Sequence, residues 1–238
     1  MGQVLVLGLI GGSIYALFAI GVVLVHRGTG VLTFANGEVG TASLFVAAFL
    51  VDRGAPWVVA AAAALVFATV LGALFEFTVV RRMVDADPVT VAVATVGFGL
   101  LLLSIEIVRA GQSPKSLPGP VAGHGLHIAG VIVSPTQIIA LVLALLLAFG
   151  LQTFLRRTDF GLGILAAAQD KAAVRLVGAP LSRITMAVWA AGAALAAIAS
   201  LLVEPTVGVF VPGYASELYL FGLAAAVTGG LNSLPGAF

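Results

Sequence analysis

Residues 4–25 read VLVLGLIGGSIYALFAIGVVLV, carry no charge, and close on His26 and Arg27. A helix of this length, rising about 1.5 Å per residue, crosses the roughly 30 Å hydrocarbon core of a bilayer. A cleavable signal has a basic start and a shorter apolar core. Here Met1–Gly2–Gln3 lead in without a basic residue. The stretch therefore predicts a true first crossing whose basic end lies on the far side.

The same character runs through the chain. Of 238 residues, 61% are hydrophobic and 9% charged, with a mean hydropathy of +1.19. Soluble domains are nearer one-quarter charged, so a water-soluble enzyme, a disordered chain and a nucleic-acid binder are excluded. Long apolar runs favour helices over the ten-residue alternation of a membrane barrel. Eleven basic and ten acidic residues nearly cancel, so net charge says nothing about partners. The absence of cysteine excludes disulfides, thiolate metal sites and cysteine nucleophiles.

The chain predicts an all-α polytopic membrane protein, one domain over residues 1–238, with about seven transmembrane helices. The segments are 4–25, 34–51, 57–80, 89–108, 136–155, 184–203 and 217–231. The second is the least apolar, holding Asn36, Glu38, Thr41 and Ser43. Alternating the connections puts Arg27, Arg81, Arg82, Arg156, Arg157, Lys171, Arg175 and Arg183 on one side. Arg53, Arg109 and Lys115 fall on the other. The basic side is cytoplasmic by the positive-inside rule, so the N-terminus begins outside.

Two connections exceed what a membrane hairpin needs. The external loop, residues 111–135, is rich in Pro and Gly and ends in the alternating stretch 126–133. That stretch reads either as a small surface hairpin or as a plain ordered loop. The internal loop, residues 156–183, begins with Thr158 and Asp159 as candidate caps and ends on Gly178 and Pro180 as a stop. The short alanine-rich helix between them either docks another protein or anchors two spans at the interface.

Catalytic signatures are missing. There is no GxxxxGK[ST], so any ATPase that transport needs is another polypeptide or domain, and no HExxH occurs. His124 and His127 share the external loop without a nearby carboxylate, which does not make a metal site. Ser13, Ser104 and Ser200 have no histidine close in sequence, so no catalytic residue, metal or cofactor is assigned.

Polar residues inside apolar segments are the functional candidates. Glu38 reads as a gate beside the path or as a helix-start carboxylate favoured by the dipole. Glu76 is expected to snorkel or pair toward Arg81 and Arg82. Glu106 is expected to pair with Arg109 three residues on. Glu204, before Pro205, is expected in water. No carboxylate is placed at mid-bilayer, which argues against an ion-coupled carrier. Glycines such as Gly8, Gly12 and Gly192 read as packing positions. Thr95, Gly97 and Gly99 meet mid-segment and are expected to line the path, together with Asn36 and Glu38.

Four stretches resemble the permease subunit of branched-chain amino acid (Liv-type) ABC importers. They are GGSIYAL at 11–17, LTFANGE at 32–38, the span from Gly161–Leu162–Gly163 through Ala168–Gln169–Asp170 to Gly178, and GGLNSLPGA at 229–237. They lie in the family's order across nearly the whole chain. Thr33 and Asn36 stand where the family often has Asn and His, and Ile164 and Leu165 where an Arg is frequent.

The resemblance implies an inner-membrane importer subunit for branched-chain or related amino acids, urea or short amides. It implies two cytoplasmic ABC ATPase subunits, a second permease (the same or a related chain), an extracytoplasmic solute-binding protein and surrounding lipid. It also implies that Ala166, Ala167, Gln169, Asp170, Ala172, Arg175 and Gly178 belong to the helix that couples to the ATPase. The family continues past residue 238 with a further helix, so the chain is expected to lack a final one. The alternative is a self-sufficient secondary transporter or channel for a small polar solute.

Overall fold

The computed structural model describes residues 2–119, 126–128, 131–169 and 180–231. Within them the helices are α1 (Gly2–Thr29), α2 (Asn36–Val51), α3 (Trp57–Thr78), α4 (Pro88–Ala110), α5 (Pro135–Arg157), α6 (Asp159–Gln169), α7 (Leu181–Val207) and α8 (Tyr214–Thr228). A single 3-10 turn, Val80–Met83, follows α3. Five helices are long and apolar enough to cross a membrane, namely α1, α3, α4, α5 and α7. The 16 residues of α2 and 15 of α8 fall short of the roughly 30 Å core.

The alternating stretch of the external loop forms a hairpin. β1 (Leu126–Ile128) pairs antiparallel with β2 (Val131–Val133), Leu126 opposite Val133. Ser134 then opens α5 with a reciprocal cap, its hydroxyl accepting from the Gln137 N–H while the Gln137 side chain accepts from the Ser134 N–H.

α1 and α7 form the centre, antiparallel and in contact where Gly21 meets Gly192 and Leu195. Their apolar windows are 72% and 67% buried, against 28%, 28% and 17% for α3, α4 and α5. α3 packs on the other side of α7, where Gly72 sits so close to Ala193 and the Trp189 carbonyl that a Cβ would lie 2.6–2.7 Å from them. Gly8, Gly12 and Gly97, by contrast, have nothing within 4 Å of where a Cβ would stand. Among the described residues, those three have no packing neighbour on that side.

The decisive departure from a plain helical hairpin is residues 30–35. Gly30, at φ 73°, turns the chain out of α1, and the next five residues are non-helical. Their backbone is satisfied by neighbours. The Phe34 N–H donates to Thr95 Oγ1 at 2.9 Å, and the Tyr219 hydroxyl donates to the Thr33 carbonyl. This segment carries the chain back into the bundle before α2 begins. The first residue of α2, Asn36, lies against Gly192 near the midpoint of α7. Glu38 lies against Gly99, the middle of α4. α2 therefore starts at about half the height of two spanning helices.

Candidate functional site

α8 begins at the same height as α2. Gly213, at φ 79°, turns the chain into it, and Ser216 sits directly on Gly37. A Cβ on Gly37 would lie 2.5 Å from the Ser216 Cα, so only glycine permits this approach. Two half-length helices thus meet by their first turns, α2 leading one way and α8 the other.

Polar groups gather at this junction. The Ser216 hydroxyl donates to Glu38 Oε1 at 2.7 Å, and the Ala215 N–H donates to Thr41 Oγ1 at 3.0 Å. From α4, Glu106 Oε2 accepts from the Gly213 N–H at 3.2 Å. Glu38 and Glu106 are 8% and 5% exposed, and each keeps one oxygen without a hydrogen-bond partner. Phe34, at 37%, and Glu217, in the first turn of α8, are exposed at this height.

The five expected path residues separate. Asn36, Glu38, Thr95 and Gly99 come together around the start of α2, although Asn36 turns toward α7. Gly97 is exposed on the opposite side of α4 and is not brought to them. Two residues along a helix are about 200° apart, so a run such as 95–99 cannot share one face. Ser216, Gly213, Glu106 and Thr41 are members that sequence reasoning missed. For Ser216, Glu106 and Thr41 the signal was a carboxylate or hydroxyl within an apolar helix, whereas Gly213 offers none, and no spacing rule joins residues 178 apart, as Glu38 and Ser216 are.

Three expectations about carboxylates need correction. A carboxylate does lie at half-height, because the 30–35 segment lifts Glu38 there. Glu106 does not pair with Arg109: α4 turns Arg109 outward, while Glu106 finds the Gly213 backbone donor. Glu204 is not in water. It is 0% exposed, since the loop at 111–119 folds over the end of α7 and the Leu117 N–H donates to Glu204 Oε1 at 2.9 Å. Glu76 pairs as expected, with Arg81 at 3.1 Å, and also accepts from the Thr185 hydroxyl at 2.8 Å.

Below the junction, Phe98 stacks on Phe75 at 4.3 Å, and Phe75 lies 5.4 Å from Trp189. Next along the same helices comes a cavity of about 310 Å³ lined by Thr29, Val31, Glu76, Arg81, Val91 and Thr185. The aromatic trio lies between this cavity and the polar junction.

At the candidate coupling region, Thr158 ends α5 and starts α6. Its hydroxyl accepts from the Gly161 N–H at 3.0 Å. α6 is pressed against α5: a Cβ on Gly161 would lie 2.5 Å from the Phe154 carbonyl oxygen and the Leu155 Cα. Ile164 and Ala167 are buried in the core, while Ala166 and Gln169 are exposed. Asp170, Ala172, Arg175 and Gly178 lie outside the described residues. Among the described residues, no group of three or more metal-ligating side chains occurs.

Residues 4–238 match the family model described as "Branched-chain amino acid transport system / permease component". The chain is 31% identical over 248 residues to BraD of Pseudomonas aeruginosa, a high-affinity branched-chain amino acid transport system permease protein. That match covers 99% of the chain and 81% of BraD. LivH of Escherichia coli K12, which bears the same description, is 28% identical over 242 residues, covering 95% of the chain and 78% of the relative. LivH of Salmonella typhimurium is 27% identical over 239 residues, with the same coverage. No solved structure matches the chain.

Proposed function

The chain belongs to the family of branched-chain amino acid transport permease components, and from that premise we propose that it passes branched-chain or closely related amino acids across the inner membrane, driven by ATPases on separate subunits. It is a multi-pass membrane permease subunit. Its complex contains two ABC ATPases, a second permease and an extracytoplasmic binding protein.

The observation that carries the path assignment is the meeting of α2 and α8 at half-height, with Glu38, Ser216 and Glu217 gathered there. Half-helices that meet inside a bilayer are tolerated where they line a cavity or bury against protein. The path runs past this junction, is narrowed by Phe75, Phe98 and Trp189, and opens toward the cavity at Glu76 and Arg81. α6 and the residues after it couple to the ATPase. α6 is held rigidly to α5 by the Gly161 contact, so a pull on it reaches α5 and α1. Each ligand, ATP included, shifts inward- and outward-open states only by its differential affinity for them.

The buried carboxylates remove one argument against an ion-coupled carrier, so the experiment must separate the two. The chain is reconstituted in proteoliposomes with its partner permease, ATPases and binding protein. Leucine, isoleucine and valine uptake is expected to require both ATP and the binding protein. Uptake by the chain alone down a proton gradient, without ATP, would overturn the ABC reading.

A further inference from the structure

Glu76 and Glu38 are both buried carboxylates, yet the chain treats them differently. Glu76 is given Arg81 at 3.1 Å. Glu38 and Glu106 converge on Gly213, one 3.8 Å from where its Cβ would stand and the other bonded to its N–H, and they interact electrostatically with each other. Among the described residues neither has an ion-pair partner. One oxygen of each is held by a single protein donor. The others, Glu38 Oε2 and Glu106 Oε1, are buried with none. Two like charges in an apolar bundle cost several kcal/mol each unless a counter-charge or a proton reaches them. Among the described residues no counter-charge is supplied at this junction.

The rim of the junction is exposed on one side, while its two free oxygens are covered. Phe34 and Glu217 are exposed there, and Ser216 is half-buried. At this height an exposed carboxylate is not tolerated against lipid. The side bearing Glu217 therefore faces water or a partner chain, and a solute arriving from it meets Ser216 and Glu38 next.

We propose that Glu38 and Glu106, with Glu217 at their entrance, form a cation-receiving station at half-depth that takes the primary ammonium group of the solute in transit. An ammonium brings three donors, enough to satisfy both unpartnered oxygens, and its single charge offsets one of the two carboxylates. The sign of the cluster rejects anions, and a neutral alcohol of the same shape brings one donor and no charge. The cargo named here rests on the permease reading, but the chemistry does not.

The test uses the full chain assembled with its partner subunits. A membrane-permeant carbodiimide modifies buried carboxyl groups, and peptide mass spectrometry locates the modification. Glu38 and Glu106 are expected to react. Ethylammonium chloride is expected to slow that reaction about ten-fold when present at about ten times its dissociation constant. Ethanol and sodium chloride at the same concentration are expected not to. Equal reaction with and without ethylammonium, equal protection by sodium chloride, or no reaction at either residue would each overturn the station. In Glu38→Gln, the remaining reaction at Glu106 is expected to lose its protection, and retained protection overturns the pairing. If Glu38→Gln does not assemble, the measurement on the unaltered protein decides. Protection by ethylammonium without ATP-driven amino acid uptake would sink the permease reading and leave the station standing. Uptake without protection would do the reverse.

Discussion

Glu76 is 1% exposed and survives there because three groups reach it or its partner. Arg81 supplies the charge, Thr185 donates a hydroxyl hydrogen bond, and the Ser182 carbonyl accepts from the same Arg81 nitrogen at 3.3 Å. Removing one member of a buried pair leaves a charge unpaired, at about 3–5 kcal/mol. Arg81 is about one-third exposed, so the expected loss for Arg81→Ala is nearer about 2 kcal/mol. Glu76→Gln keeps the hydrogen bond from Thr185 and is expected to cost about 1 kcal/mol. Thermal unfolding of the purified protein in detergent ranks the two, and an equal or reversed ranking would contradict the pair's role. This pair was legible in the sequence because both residues lie at one end of the same segment. Glu106 and Glu204 were not, since their partners are backbone N–H groups of Gly213 and Leu117. No pattern of side chains announces a backbone donor 87 or 107 residues away.

At the scale of elements, hydropathy located every helix of the bundle but could not set its height. Segment 34–51 looked like a short, polar crossing. What makes it a half-helix is the non-helical run before it, which turns on Gly30 and is fastened by Thr95 and Tyr219. Tyr219→Phe removes the donor to the Thr33 carbonyl and leaves that acceptor buried, an expected loss of about 1–3 kcal/mol. Amide exchange of residues 31–35 should rise more than that of α2 itself, and uniform exchange would show that the bond does not fasten the linker. α6 is placed by a different device. The Thr158 cap was visible in the sequence, whereas the need for glycine at 161 was not, because it arises from the fold-back onto Phe154 and Leu155. Gly161→Val must push α6 off α5. The expected result is a chain that still inserts in the membrane but no longer co-purifies with the ATPase. Unchanged co-purification would place the coupling contact elsewhere.

For the whole molecule, the arrangement of ends is more telling than the count of spans. Thr29, Arg81, Pro88 and Leu181 surround one cavity, so the end of α1, the turn after α3 and the starts of α4 and α7 share one side. Lys115 meets Asp52 at 3.7 Å and pairs with Phe210 through the backbone, which gathers the end of α2 and the loops after α4 and α7 at the other. The first side thereby collects Arg27, Arg81, Arg82, Arg156, Arg157 and Arg183 among the described residues, and the second Arg53, Arg109 and Lys115. Sequence alternation reached this grouping without knowing that two helices are short, because a half-helix preceded by an extended segment still returns the chain to the opposite face. Lys and Arg are retained in the cytoplasm during insertion, so the first side is expected to face inward. The chain has no cysteine, so single substitutions report cleanly. In spheroplasts, a membrane-impermeant maleimide is expected to label Arg53→Cys and Lys115→Cys directly. Arg82→Cys and Arg157→Cys, both exposed, are expected to label only after lysis. The inverse pattern would turn the molecule over and place α6 outside, where no ATPase can reach it. The coupling assignment would then fall together with the orientation.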